Sequence, residues 1–166
     1  CLAKPPTVTT ALLGTQRAPD LAEGALDDKT LTKLQRDLAQ GDLVAVRVRT
    51  ALPKRRGPSE EGSMDVYLQR GSTGERSDSY YVREGMTISK RTSRAELNGI
   101  RSFVTIESGP MAKLLGDTEG PAHEDWGKSA ERPDREWKTW KNRVEFARRI
   151  VDNLVEYLTP KQTKPD

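Results

Sequence analysis

Apolar side chains recur along this chain in two periods, and the switches between them divide it into elements. Leu31, Leu34 and Leu38 stand three and four residues apart, the spacing that aligns side chains on one stripe of an α-helix. Asp27 or Asp28 can cap that helix and Gly41 stands where a left-handed stop is expected, so it should run from about Lys29 to Gln40. From Leu43 to Leu52 the period drops to two, with Val44, Val46 and Val48 alternating against Ala45, Arg47 and Arg49, as in a half-buried strand. Met64, Val66 and Leu68 share one face of a second strand that ends at Arg70. From Ser79 to Lys90, Tyr80, Val82, Met86 and Ile88 alternate with Tyr81, Arg83, Thr87 and Ser89, the pattern of strands with one buried face. Glu84-Gly85 interrupts it, and a glycine there permits either a tight reversal or a bulge.

Ile100, Ser102, Val104 and Ile106 form one face of a further strand, with Phe103 on the other. Gly109-Pro110 then opens a short helix over Met111 to Leu115, since proline at the first helical position gives up an N–H that would be unpaired anyway. Gly116 to Trp126 is too dense in turn formers and acids for regular structure. Trp137, Trp140, Val144, Ala147, Val151, Leu154 and Leu158 recur at alternating spacings of three and four, which predicts one long helix opening at Asp134 and closing before Pro160. The order helix, strands, short helix, long helix predicts an α+β fold: a mainly antiparallel four- to five-stranded sheet, helices packed on one face, and a long C-terminal helix. Residues 1–26 read as an extended or poorly ordered entry segment, 27–160 as a single domain and 161–166 as a disordered tail.

Composition changes this picture in one respect. Only 34% of residues are hydrophobic and 32% are charged, so part of the chain must be poorly buried. The first 25 residues, the loops Lys54 to Ser63 and Gly71 to Ser79, and the last seven residues hold much of the Pro, Gly, Ser and charge. The net charge of +3 is too balanced to argue a nucleic-acid partner from composition, but the cations cluster. Lys54, Arg55 and Arg56 form one knot; Arg135, Lys138, Lys141, Arg143, Arg148 and Arg149 load the start of the long helix. Such clusters are either solvated faces or contact surfaces for phosphate or nucleic acid.

Cys1 is the one cysteine, so the chain can build no disulfide within itself. A terminal cysteine suggests either a lipid-anchored envelope protein or a piece excised from a longer, cytoplasmic one. No stretch has the 18 or so apolar residues of a transmembrane span. His123-Glu124-Asp125 is a polar triplet whose adjacent side chains diverge, so no metal site is expected of it. A Gly-x-Ser-x-Gly elbow and a phosphate-cradling Gly-rich loop are both missing from the sequence. No catalytic residue is assigned, and a module acting on something bound elsewhere is expected.

Four stretches together resemble a known family: Tyr-Tyr-Val-Arg-Glu-Gly-Met-Thr-Ile at 80 to 88, Gly-Pro-Met-Ala-Lys-Leu-Leu-Gly-Asp at 109 to 117, Gly-Pro-Ala-His-Glu-Asp-Trp at 120 to 126, and Trp-Lys-Thr-Trp-Lys at 137 to 141. They are similar to the region downstream of the nucleotide-binding domain in bacterial ATP-binding proteins of the gyrase, heat-shock chaperone, histidine kinase and MutL (GHKL) superfamily. The resemblance spans roughly Leu31 to Pro160. It implies a non-catalytic, transducer-like C-terminal module that couples nucleotide state to conformational change or partner contact. In such transducers a basic residue reaches the terminal phosphate, and Arg83, Lys90 and Arg91 match by position. The superfamily's ATP-site signatures are absent from these residues, so ATP and Mg are implied for a parent protein alone. The partners implied are an upstream ATP-binding domain and a homodimer; nucleic acid is the alternative partner, through Lys54, Arg55, Arg56, Arg135, Lys138 and Lys141.

Overall fold

A computed structural model describes residues 7–9 (backbone only), 21, 24–72, 78–88, 99–122 and 125–160. The elements are β1 (Thr7–Thr9), α1 (Asp28–Gln40), β2 (Val44–Leu52), β3 (Glu60–Arg70), β4 (Ser79–Arg83), β5 (Met86–Ile88), β6 (Ile100–Ile106), α2 (Pro110–Thr118), one 3-10 turn (Arg132–Arg135) and α3 (Trp140–Leu158). The expected α+β arrangement is observed. The strands form one mixed sheet in the order β1-β2-β3-β6-β4-β5, mostly antiparallel, with parallel joints at β1–β2 and β4–β6. β6 enters between β3 and β4, so the last strand of the sequence is a central one. Its alternation fits that place: Ile100, Ser102, Val104 and Ile106 are all buried.

Helix α1 begins and ends as its sequence predicts. Asp27 accepts a hydrogen bond from the Thr30 N–H at 2.9 Å, and Gly41 closes it at φ 87°, a conformation that costs glycine little. Leu34 and Leu38 are the side chains it buries. The inward face of the sheet comprises Val44, Val46 and Val48 of β2, Met64, Val66 and Leu68 of β3, and the β6 residues named above. All three helices cover that face. The other face stays half open, with Ala45, Tyr67, Phe103 and Tyr80 in one cross-strand row.

Four details depart from the sequence reading. First, β3 starts at Glu60, so the expected loop to Ser63 is shorter; Glu60–Ser63 pair with Leu52–Arg49. Gly62 permits this, because a Cβ there would lie 2.9 Å from Met111 Cβ on α2. Second, the β4 side chains turned inward are Ser79, Tyr81 and Arg83, while Tyr80 and Met86 are exposed. The charge on Arg83 is met by a carboxylate inside the fold, and Ser79 pairs with Ser102, whose hydroxyl donates to Ser79 Oγ at 2.7 Å.

Third, α2 does not stop at Gly116 but runs on to Thr118, whose hydroxyl donates to the Leu115 carbonyl. Fourth, α3 starts at Trp140 rather than near Asp134. The preceding backbone is engaged elsewhere: Trp137 forms an antiparallel bridge with Lys54, Lys138 N–H donates to Pro53 O, and Arg55 N–H donates to Glu136 O, both at 2.8 Å. Asp134 instead accepts from the Trp140 indole at 2.8 Å. The apolar seam is buried throughout, Trp137 included. With Phe146, Ile150 and Val155 buried as well, α3 hides more than half its circumference.

Candidate functional site

The hairpin of β4 and β5 turns through Glu84 and Gly85, at φ 48° and 80°, with Arg83 paired to Met86. Positive φ at both central residues is the two-residue turn whose twist suits a hairpin, so the tight reversal, not the bulge, is what Gly85 serves. The turn fixes Arg83 as the last inward side chain of β4. Its guanidinium, 7% exposed, forks onto Glu119, itself 1% exposed: Nε to Oε1 at 2.6 Å and Nη2 to Oε2 at 2.8 Å. A third bond from Nη1 reaches the Glu84 carboxylate.

Glu119 is shared. The Trp126 indole donates to its Oε1 at 3.0 Å, Glu119 and Trp126 form an isolated backbone bridge, and the Trp126 ring meets Tyr81 edge-on at 5.4 Å. Gly116 lies against the plane of Arg83, where a Cβ would come within 3.2 Å of Cζ. Hydrogen bonding to Glu119 raises the Arg83 pKa further above its ordinary value, against the opposing effect of burial. A bidentate pair of this kind is strong because both bonds carry charge and share one plane.

Three of the four stretches singled out in the sequence therefore meet here: the hairpin, the end of α2 and the segment closing at Trp126. Glu119 itself was not anticipated. No local signal in the sequence marks it: the alternation puts Arg83 on the outward face, and only the fold, by turning Arg83 inward, requires a carboxylate beside it.

Arg83 does not fit a terminal phosphate, because carboxylates already occupy the guanidinium edges that phosphate would use and would repel it. Lys90 and Arg91 lie outside the described residues, as do Cys1, His123 and Glu124. Asp125 accepts from the Trp126 N–H and sits 3.6 Å from Arg148. Among the described residues no three His, Cys, Asp or Glu side chains gather as a metal site, and no helix is long and apolar enough to cross a membrane.

The remaining basic candidates come together at the Lys54–Trp137 bridge. Lys54 pairs with Glu60 at 2.8 Å and Glu136 at 3.6 Å, which Lys113 also reaches. Arg55 donates to the Asp134 carbonyl. Arg56, Arg135 and Lys138 are exposed and have no ion pair among the described residues; Lys141 is exposed with its ammonium 5.5 Å from the Trp140 ring centre. The basic run is not one helical stripe. Arg143 is buried and donates to the Ala51 carbonyl at 2.8 Å, and burial lowers its pKa. Arg148 is tied to Asp125 and Glu145. No protein family, curated protein sequence or solved structure matches this chain.

Proposed function

We propose that this chain is a non-catalytic coupling module, of the transducer kind that accompanies GHKL-type ATP-binding domains. The observation that carries the reading is the buried Arg83–Glu119 pair with its Trp126 and Gly116 neighbours. It joins three of the stretches on which the resemblance rests into one mechanical unit. A salt bridge taken out of water adds little net stability, but breaking it from one side is expensive. A hairpin held in this way shifts together with α2, Glu119 and Trp126 rather than bending alone, as a relay of position requires.

In this reading the terminal-phosphate contact falls to Lys90 or Arg91, just past β5, because Arg83 is committed to Glu119. The nucleotide and its Mg belong to an upstream ATP-binding domain in the parent protein, which works in the cytoplasm. The test is ATP hydrolysis by the full-length gene product and its Lys90→Ala and Arg91→Ala variants. One of the two should lose tenfold or more in kcat with KM nearly unchanged, the mark of a group that acts on developing charge. Normal hydrolysis by both variants, or a full-length product that binds no ATP, overturns the reading.

A further inference from the structure

The bridge between Lys54 and Trp137 does more than close a loop, because it lays the two basic clusters of the sequence side by side. Antiparallel bonding sets Pro53–Arg55 against Glu136–Lys138, and α2 adds Lys113 through Glu136. Residues 53–60 and 131–143 contain eight cations, Lys54, Arg55, Arg56, Arg132, Arg135, Lys138, Lys141 and Arg143, against four carboxylates. That excess of four exceeds the +3 of the whole chain, so the rest of the molecule is slightly acidic. Arg143 lies beneath this surface with a carbonyl for its partner and, among the described residues, no carboxylate, which leaves its charge uncompensated. Among the described residues, the ridge therefore carries a local excess of positive charge.

We infer that this ridge docks the phosphate backbone of a nucleic acid, independently of the coupling role proposed above. Two observations favour that occupant. Arginine supplies at least half of the exposed and partly exposed cations, and its planar fork matches phosphate oxygens. The ridge also lacks an apolar anchor: among the described residues the exposed large hydrophobic side chains, Leu43, Tyr80, Met86 and Phe103, all lie on other segments. A protein partner would be expected to seek an apolar centre, and a membrane surface an inserting apolar face. A polyanion needs neither, since counterion release from phosphates supplies the affinity. At Arg56, Arg135 and Lys138, new contacts cost no existing ion pair among the described residues.

Fluorescence anisotropy of the 166-residue chain with labelled duplex and single-stranded DNA, each about 20 nucleotides long, tests the inference. Binding at about 50 mM salt should weaken roughly 100-fold by about 200 mM, as about four phosphate contacts imply. Arg56→Glu/Arg135→Glu/Lys138→Glu should abolish it, and the alanine triple variant should weaken it at least about 100-fold and flatten its salt dependence. The same charge change on α1, Lys29→Glu/Lys33→Glu/Arg36→Glu, should leave it within about twofold. Thermal melting of each variant confirms that it is folded. No saturable DNA binding at the lower salt concentration overturns the inference, and so does binding that the ridge variants retain. Saturable binding to phosphatidylserine vesicles or to polyglutamate in place of DNA would overturn it too.

Discussion

Arg83 illustrates how a single charged side chain can organise a site when it is placed on the inward face of a strand. Removing one partner leaves the other charge buried and unpaired, so Arg83→Ala should cost about 3–5 kcal/mol, measured by urea unfolding. Replacing both, as in Arg83→Met/Glu119→Leu, should cost less than the single change, because apolar groups need no partner, with the remaining cost set by the Trp126 indole that loses its acceptor. Gly116 sharpens the point. In an exposed helix, Gly→Ala gains about 1 kcal/mol, but here the new methyl would meet a guanidinium that two carboxylates prevent from retreating. Gly116→Ala should therefore destabilise the protein by about 1 kcal/mol. In the Arg83→Ala background the sign should reverse, and a stabilisation in both backgrounds would show that the guanidinium is not held.

Three carboxylates make the stability depend on acid, the first being Asp27, held below the usual value by its hydrogen bonds to Thr30 at the α1 cap. The Lys113 ammonium holds Glu136 below the usual carboxylate value, helped by Lys54, and Lys128 does the same for Glu145. Folded values below the unfolded one mean that the native state keeps these groups ionised. The associated stability is fully present above about pH 4.5 and is lost as pH falls through the lowered folded values. Glu136→Gln/Glu145→Gln should reduce the fall of the melting temperature across that window without abolishing it, since Asp27 still titrates there, and should leave the curve near neutrality unchanged.

At the scale of elements, legibility followed the source of each constraint. α1 could be read nearly to the residue because its cap, stripe and stop are local, Asp27, Leu34/Leu38 and Gly41. The burial of Trp137 was legible as part of a three-four seam, but its exclusion from α3 was not: the backbone of Glu136–Lys138 is claimed by Pro53–Arg55, far away in the chain. The inward face of β4 was hidden for a similar reason. Tyr80 and Val82 are as apolar as Tyr81, and the deciding partner, Glu119, lies on another element. The extension of α2 through Gly116 likewise depends on what packs there, a planar guanidinium in place of the usual side chain.

The hairpin turn and the long helix carry distinct expectations. Gly85→Ala forces a Cβ into φ 80° and should cost about 1 kcal/mol, seen as a lower urea midpoint. Trp140 is 2% exposed with its indole bonded to Asp134, so Trp140→Ala should cost about 3–5 kcal/mol. An unchanged melting midpoint would mean that the ring does not belong to the core.

Over the whole molecule, the layers separate support from presentation. The core lies between the sheet and α1, α2 and α3, where β6 runs centrally and contributes Ile100, Val104 and Ile106 at full burial. The Arg83–Glu119 pair sits on the β4–β5 side of that core, and the basic ridge sits where the β2–β3 connection meets the entry to α3. The sequence held the pieces of both, yet it could not show which pieces met, because Arg83 finds Glu119 and Lys54 finds Trp137 only across long stretches of intervening chain. If the coupling account is right, the first of these regions responds to nucleotide as one body.

Hydrogen–deuterium exchange on the full-length gene product, with and without a non-hydrolysable ATP analogue, tests this most directly. Peptides covering the β4–β5 hairpin and residues 110–126 should change protection together in the native protein. In Arg83→Met/Glu119→Leu the hairpin alone should respond. If neither region changes when the nucleotide binds, the coupling account is contradicted.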